Sequence, residues 1–246
     1  MPTVSKQHIG NRISHFYQSW QNVTNDPWVL DTVVGYKIEF LEFPHQSFIP
    51  SMHASEEERD LIDQEVLSLQ QKHAIHKVLE PNGLEPSQFI SPLFTVPKKG
   101  GGHRPVVNLK DLNQFVEYQN GRCTNVKRSI KTKRLFNQDR LTVPIWIHHQ
   151  KFLRFIWQDT PRAFPCLPFG LASAPRTFSK LLKPVVAQLR KMGIRLIIYL
   201  DDMLIMAASR DLAIEHTTIA VSLLSSLGFV LNGFLVNSVA MSLHLL

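Results

Sequence analysis

Two apolar runs, Ile194 to Leu200 and Met203 to Ala207, are joined at the adjacent carboxylates Asp201 and Asp202. Apolar runs of this length around a short polar junction predict a tight β-hairpin. Ionised neighbours repel, and desolvation by the flanking strands makes the repulsion worse. The arrangement becomes favourable where cations bind, and Mg²⁺ takes carboxylate and phosphate oxygens readily. An ordinary hairpin with Asp in its turn has the same local sequence.

The elements around this hairpin can be placed by their caps and periods. Ser173 precedes a helical pattern carrying Phe178, Leu181, Leu182, Val185, Val186 and Leu189, with Gly193 past its end and a kink expected at Pro184. Ser209 opens a second helix to about Leu227, followed by Gly228. Ser55 and Glu58 form a capping box ahead of a helix through Leu61, Ile62, Val66 and Leu69 to about Gln71. Phe89 to Val96 and Arg104 to Leu109 read as strands around Gly100-Gly101-Gly102, and Glu80 to Pro86 as a turn. Leu141 to Ile147 and Phe152 to Trp157 also read as strands. Ile9 to Trp20 suits a short helix, and Trp28 to Phe43 an extended segment ended by Pro44 and Pro50. Helices and strands are mixed without strict alternation, which predicts an α+β class.

Composition limits the alternatives. A chain of 246 residues, 44% apolar, can bury a sizeable core as one domain or two lobes. Cys123 and Cys166 make neither a disulfide framework nor a metal site. Met1 to Gly10 has no apolar core of a signal peptide, and no apolar run approaches the ~18 residues of a spanning helix. The expectation is a soluble intracellular protein with no membrane partner. The net charge of +7 invites a nucleic-acid reading, but it is local. Between Asn120 and Arg140, seven basic residues stand against Asp139 alone, which carries all but one unit of the excess. A solvated charge run has the same composition.

Two further segments carry chemistry. Leu167-Pro168-Phe169-Gly170-Leu171-Ala172-Ser173-Ala174-Pro175 places a glycine and small residues ahead of a helix, leaving room for a flat ligand. Val96-Pro97-Lys98-Lys99 and Arg104-Pro105-Val106-Val107-Asn108-Leu109-Lys110-Asp111-Leu112-Asn113 set basic groups around a flexible turn, suited to gripping a triphosphate. A turn before a core helix and a solvated hairpin tip account for each segment taken singly.

Taken in order, these segments and Ile198-Tyr199-Leu200-Asp201-Asp202 resemble the reverse transcriptases of retrotransposons, closest to the tyrosine-recombinase (DIRS-like) elements. Asp26-Pro27-Trp28-Val29-Leu30 and Leu141 to Gln158 share the resemblance, which covers most of the chain. It implies a right-hand polymerase with fingers and palm, the thumb being absent. The implied division is an N-terminal extension at 1–50, fingers at 51–118, a palm strand region at 119–145, a fingers return at 146–168, and at 169–246 a palm with the hairpin and a truncated C-terminus. It also implies that Asp201 and Asp202 bind two Mg²⁺ ions, that Lys98 and Arg104 meet the incoming dNTP, and that Phe169 and Gly170 wall its pocket. The partners implied are an RNA or DNA template and its primer, and the chemistry is two-metal nucleotidyl transfer.

The pattern fails at several places, including a break after Gly228-Phe229-Val230-Leu231-Asn232. The family carries a third carboxylate shortly before the segment matching Leu141 to Ile145, and here Leu135 stands there. Arg140 replaces the aromatic that gates against ribonucleotides, and Pro161-Arg162-Ala163 replaces a turn that usually bears an aromatic. Back-translated and read in another frame, Asn120 to Arg128 and Leu135 to Asp139 give strings resembling the family. The stretch 120–140 is therefore read as translated out of frame, the frame being restored at Leu141. The resulting expectations are irregular structure over 120–140 and a reverse transcriptase defective in catalysis. The alternatives are a non-catalytic nucleic-acid-binding relict and a functionless translated pseudogene fragment.

Overall fold

The structure is a computed structural model and describes residues 8–50, 54–78, 87–97, 103–117, 139–199 and 202–231. The expectations for 80–86, for Gly100 to Gly102 and for 120–138 lie outside these residues.

The N-terminal segment folds as a 3₁₀ turn, Arg12–Phe16, running into helix α1, Tyr17–Gln21, and then α2, Pro27–Gly35. Helix α2 corrects the extended reading of Trp28 to Phe43. Asp26 is an N-cap whose side chain accepts from the Trp28 N–H at 2.9 Å, and Pro27 is pre-set for the first helical position. Only from Tyr36 onward does the chain form isolated bridges, Tyr36 to Ile145 and Phe40 to Val116. This segment is packed into the rest of the molecule. Trp20 is fully buried and donates from Nε1 to the Leu227 carbonyl at 3.1 Å, while its ring meets Phe229 edge-on. Lys180 lies over the Trp28 ring, 3.7 Å from its centroid.

Helix α3, Glu56–Gln71, starts at the expected capping box, with Ser55 and Glu58 bonded in both directions. Strands β1, His76–Lys77, β2, Leu93–Pro97, and β3, His103–Val107, follow. β2 and β3 form an antiparallel pair, as read from the sequence. Thr95 donates from Oγ1 to the Glu58 carboxylate at 2.6 Å, so the same residue that closes the capping box fastens this hairpin to α3.

The strand expected at Leu141 to Ile147 is not a ladder. Asp139–Thr142 and Ile147–Phe152 are 3₁₀ turns, and between them the chain makes single bridges to Tyr36 and Cys166. Pro144 has no N–H to offer a ladder there. Even so, Leu141 to Ile145 are all buried, held by Ile145 N–H to Pro165 O and Leu167 N–H to Val143 O.

β4, Arg154–Trp157, and β5, Thr160–Ala163, form a hairpin turning at Gln158 and Asp159, both with positive φ. That is the geometry of a two-residue primed turn. Pro161-Arg162-Ala163 is thus strand, not turn, which corrects the sequence reading. β1 joins β5 to give a three-stranded sheet in the order β1-β5-β4. Asp63 of α3 accepts from Trp157 Nε1 at 2.6 Å, seating α3 against this sheet.

Helix α4, Ala174–Lys191, is unbroken through Pro184. It buries Phe178, Leu181, Leu182, Val185 and Leu189. Strands β6, Arg195–Tyr199, and β7, Asp202–Met206, pair antiparallel, and helix α5, Arg210–Ser226, follows, capped by Ser209 Oγ on the Leu212 N–H. Gly228 ends α5 with φ +93°, a conformation glycine adopts freely. The described residues thus build helices around three small antiparallel sheets, mixed α and β. None of their helices is long and apolar enough to cross a membrane.

Candidate nucleotide-binding and catalytic site

The acidic hairpin forms because both strands bury one face. Leu196 pairs with Ile205, and Ile198 with Met203, and residues opposite each other share a face. Leu196 is buried, and Ile198, Met203 and Ile205 pack on the core. β6 lies on α4 and β7 on α5. The register corrects one detail: Tyr199 pairs with Asp202, so Asp202 opens β7 and the residues between the strands are Leu200 and Asp201. Asp201 lies outside the described residues, as do Leu135 and Lys98.

The Phe169–Gly170 turn is held from both sides. Cys166 and Leu167 are fully buried just before it, and Leu171 just after. Burial pushes the Cys166 thiol far up from its ordinary pKa, and Sγ donates to Ala74 O at 3.2 Å, so it serves as a core residue. Gly170 has φ +96°. Phe169 is 43% exposed. Asn113 spans the turn, its Nδ2 donating to Gly170 O at 2.8 Å and its Oδ1 accepting from Ala172 N–H at 2.8 Å.

Helix α4 starts directly after the turn. The sequence assigns its cap to Ser173, but Ser173 is in helical conformation and its side chain caps nothing. The Ser173 carbonyl takes Thr177 N–H and Thr177 Oγ1 instead, each at 2.9 Å. Arg176 of the first turn reaches Glu39 at 3.5 Å, tying the helix to the N-terminal segment.

Arg104 stands in β3 opposite Val96. Asp139, the carboxylate nearest in sequence to Leu135, begins a 3₁₀ turn and does not lie on a strand. Among the described residues, no three His, Cys, Asp or Glu side chains are grouped to hold a metal ion. By donor chemistry the pair Asp201 and Asp202 suits a hard cation such as Mg²⁺, with phosphate oxygens completing its shell.

Asn113 is tied to the turn in a way that no local sequence pattern announces. It belongs to the quoted basic segment, yet its partners lie 57 and 59 positions away, beyond any local pattern.

Residues 124–233 match the family model of reverse transcriptase (RNA-dependent DNA polymerase), a span that includes the stretch 124–138 read as out of frame. The fold resembles the crystal structure of native prototype foamy virus protease–reverse transcriptase, with a TM-score of 0.56 at 17% identity over 79% of this chain. It also resembles the selenomethionine-labelled CSH mutant of that protein, with a TM-score of 0.57 at 15% identity over 89% of this chain. The chain spans 27% of the first structure's length and 32% of the second's. The described residues therefore carry the fold of a reverse transcriptase, and 124–233 match that family by sequence.

Proposed function

We propose that this chain is the fingers–palm part of a retrotransposon reverse transcriptase of the tyrosine-recombinase (DIRS-like) kind, able to hold a primer–template and a nucleotide but defective in nucleotidyl transfer. One observation carries the reading: the β6–β7 hairpin, with Asp202 opening β7, packs on the helix whose head is the pinned Phe169–Gly170 turn. The hairpin and the turn both adjoin α4, which supports reading them as parts of one site.

In this reading Phe169 and Gly170 form the wall against which the nucleotide stacks. Arg104 and Lys98 neutralise its triphosphate, and pairing with the template selects the base. Asp201 and Asp202 are the residues that would hold Mg²⁺, which when bound offsets phosphate charge and activates the primer hydroxyl. The defect rests on Leu135: an apolar side chain at the third carboxylate position removes charge that would hold both ions.

Binding is tested by filter retention of labelled primer–template across a salt series. Phosphate contacts predict affinity that falls steeply with salt. No retention even at low salt leaves only a functionless fragment. The out-of-frame reading of 120–140 is tested separately by the genomic DNA, where compensating insertions and deletions are expected to flank the stretch; uninterrupted coding sequence there sinks it.

A further inference from the structure

We propose that Asn113 is a positioning residue for the nucleotide pocket, an amide clamp that fixes the Phe169–Gly170 turn on the fingers. The inference deepens the nucleotide-pocket reading above and rests on it.

A side-chain amide presents a donor and an acceptor in one plane. Asn113 spends both on one short turn, with opposite polarity, on Gly170 O and Ala172 N–H. The turn needs such a clamp. Gly170 is in the left-handed region, where the chain is least restrained by its own side chain.

The base of the clamp is itself fixed. Asn113 N–H donates to Leu109 O at 2.8 Å, Leu112 beside it is fully buried, and Leu109 follows closely on β3. The Leu109 side chain also lies 3.8 Å from where a Cβ on Gly170 would stand. A displacement of β3 therefore reaches Phe169 through two hydrogen bonds. The half-exposed Phe169 is aimed by this clamp, and its aim matters to a stacked nucleotide.

The test uses the full chain with poly(rA)/oligo(dT) and dTTP in Mg²⁺, reading three quantities: affinity for the duplex, affinity of the complex for dTTP, and amide exchange at Ala172. For Asn113→Ala, loss of two hydrogen bonds predicts about tenfold weaker dTTP binding, with duplex affinity changed less than about twofold. Ala172 exchange accelerates. Asn113→Asp keeps the acceptor for Ala172 but sets a carboxylate against the Gly170 carbonyl. It is expected to weaken dTTP binding while leaving Ala172 protected, and it serves if the alanine variant does not fold. Unchanged Ala172 exchange in Asn113→Ala overturns the clamp. Unchanged dTTP affinity, or an equal fall in both affinities, overturns its pocket role. A wild-type chain that binds no dTTP overturns the nucleotide-pocket reading itself, and this inference with it.

Discussion

Among the described residues are two hairpins built from five-residue strands, and they meet the core differently. β6–β7 is apolar along both strands and carries acid at its junction; it is packed on α4 and α5. β2–β3 is half exposed, carries lysines and a glycine run between its strands, and is fastened to α3 by the Thr95–Glu58 bond. Each hairpin seats one buried leucine, Leu93 and Leu196, but Ile198, Met203 and Ile205 add to the packed face of β6–β7 where only Val107 does so in β2–β3, so the first hairpin is the more firmly held.

The contrast is broken most sharply by cavity mutations. Leu196→Ala in β6, where the side chain is 3% exposed, is expected to destabilise the chain by about 2–5 kcal/mol in chemical denaturation. An effect under about 1 kcal/mol would mean the acidic hairpin is not seated as described.

Gly228→Ala tests the seat from the other end. A Cβ there would lie 2.6 Å from Phe16 Cδ2, and the residue would keep φ +93°. A loss of about 1–3 kcal/mol is expected, and thermal unfolding measures it. Ser55→Ala, which removes the cap of α3 and loosens Glu58 beneath β2, is expected to cost about 1 kcal/mol.

pH provides a fourth handle. His149 accepts the Ile38 N–H on Nδ1 at 3.0 Å. Burial first, then His148, Lys37 and Lys151, lower its pKa from 6.5 to about 4. The folded chain therefore disfavours the proton that the unfolded chain binds. Its stabilising share is full above 6.5 and is lost as pH falls toward 4. The site is partly open to solvent, so a fall of only about 2–4 °C in Tm across that window is expected, flattened in His149→Ala. A His149→Ala profile parallel to wild type would remove His149 from the account. Smallest of all, Phe94→Ala in β2 should stay within about 0.5 kcal/mol, because that ring is 40% exposed.

Legibility in the sequence followed the range of the interaction involved. Helix α3 was readable because the capping box is a contact between residues three apart, and α5 because Ser209 and Gly228 bracket it. β6–β7 was readable because an apolar run of that length has few other uses. Helix α2 was missed although Asp26-Pro27 is a local start signal, since the aromatic and β-branched residues after it favour strand. Leu141 to Ile147 was misread as a strand because apolar content reports burial, not pairing, and Pro144 limits pairing to single bridges. Ser173 has the composition of a cap and does not act as one, and the Asn113 clamp depends entirely on distant partners. For the same reason the burial of Trp20 against Leu227 gave no local signal: a fully buried tryptophan 207 positions from its acceptor belongs to tertiary packing.

In the proposed reverse transcriptase the acidic pair Asp201 and Asp202 is kept while Leu135 stands at the third carboxylate position. The direct test is template-dependent primer extension by the full chain in Mg²⁺ and in Mn²⁺, run beside the Asp201→Ala variant. The account predicts no extension above background from either protein, with primer–template still bound in a salt-dependent manner. Extension by the unmodified chain that disappears in Asp201→Ala would contradict it.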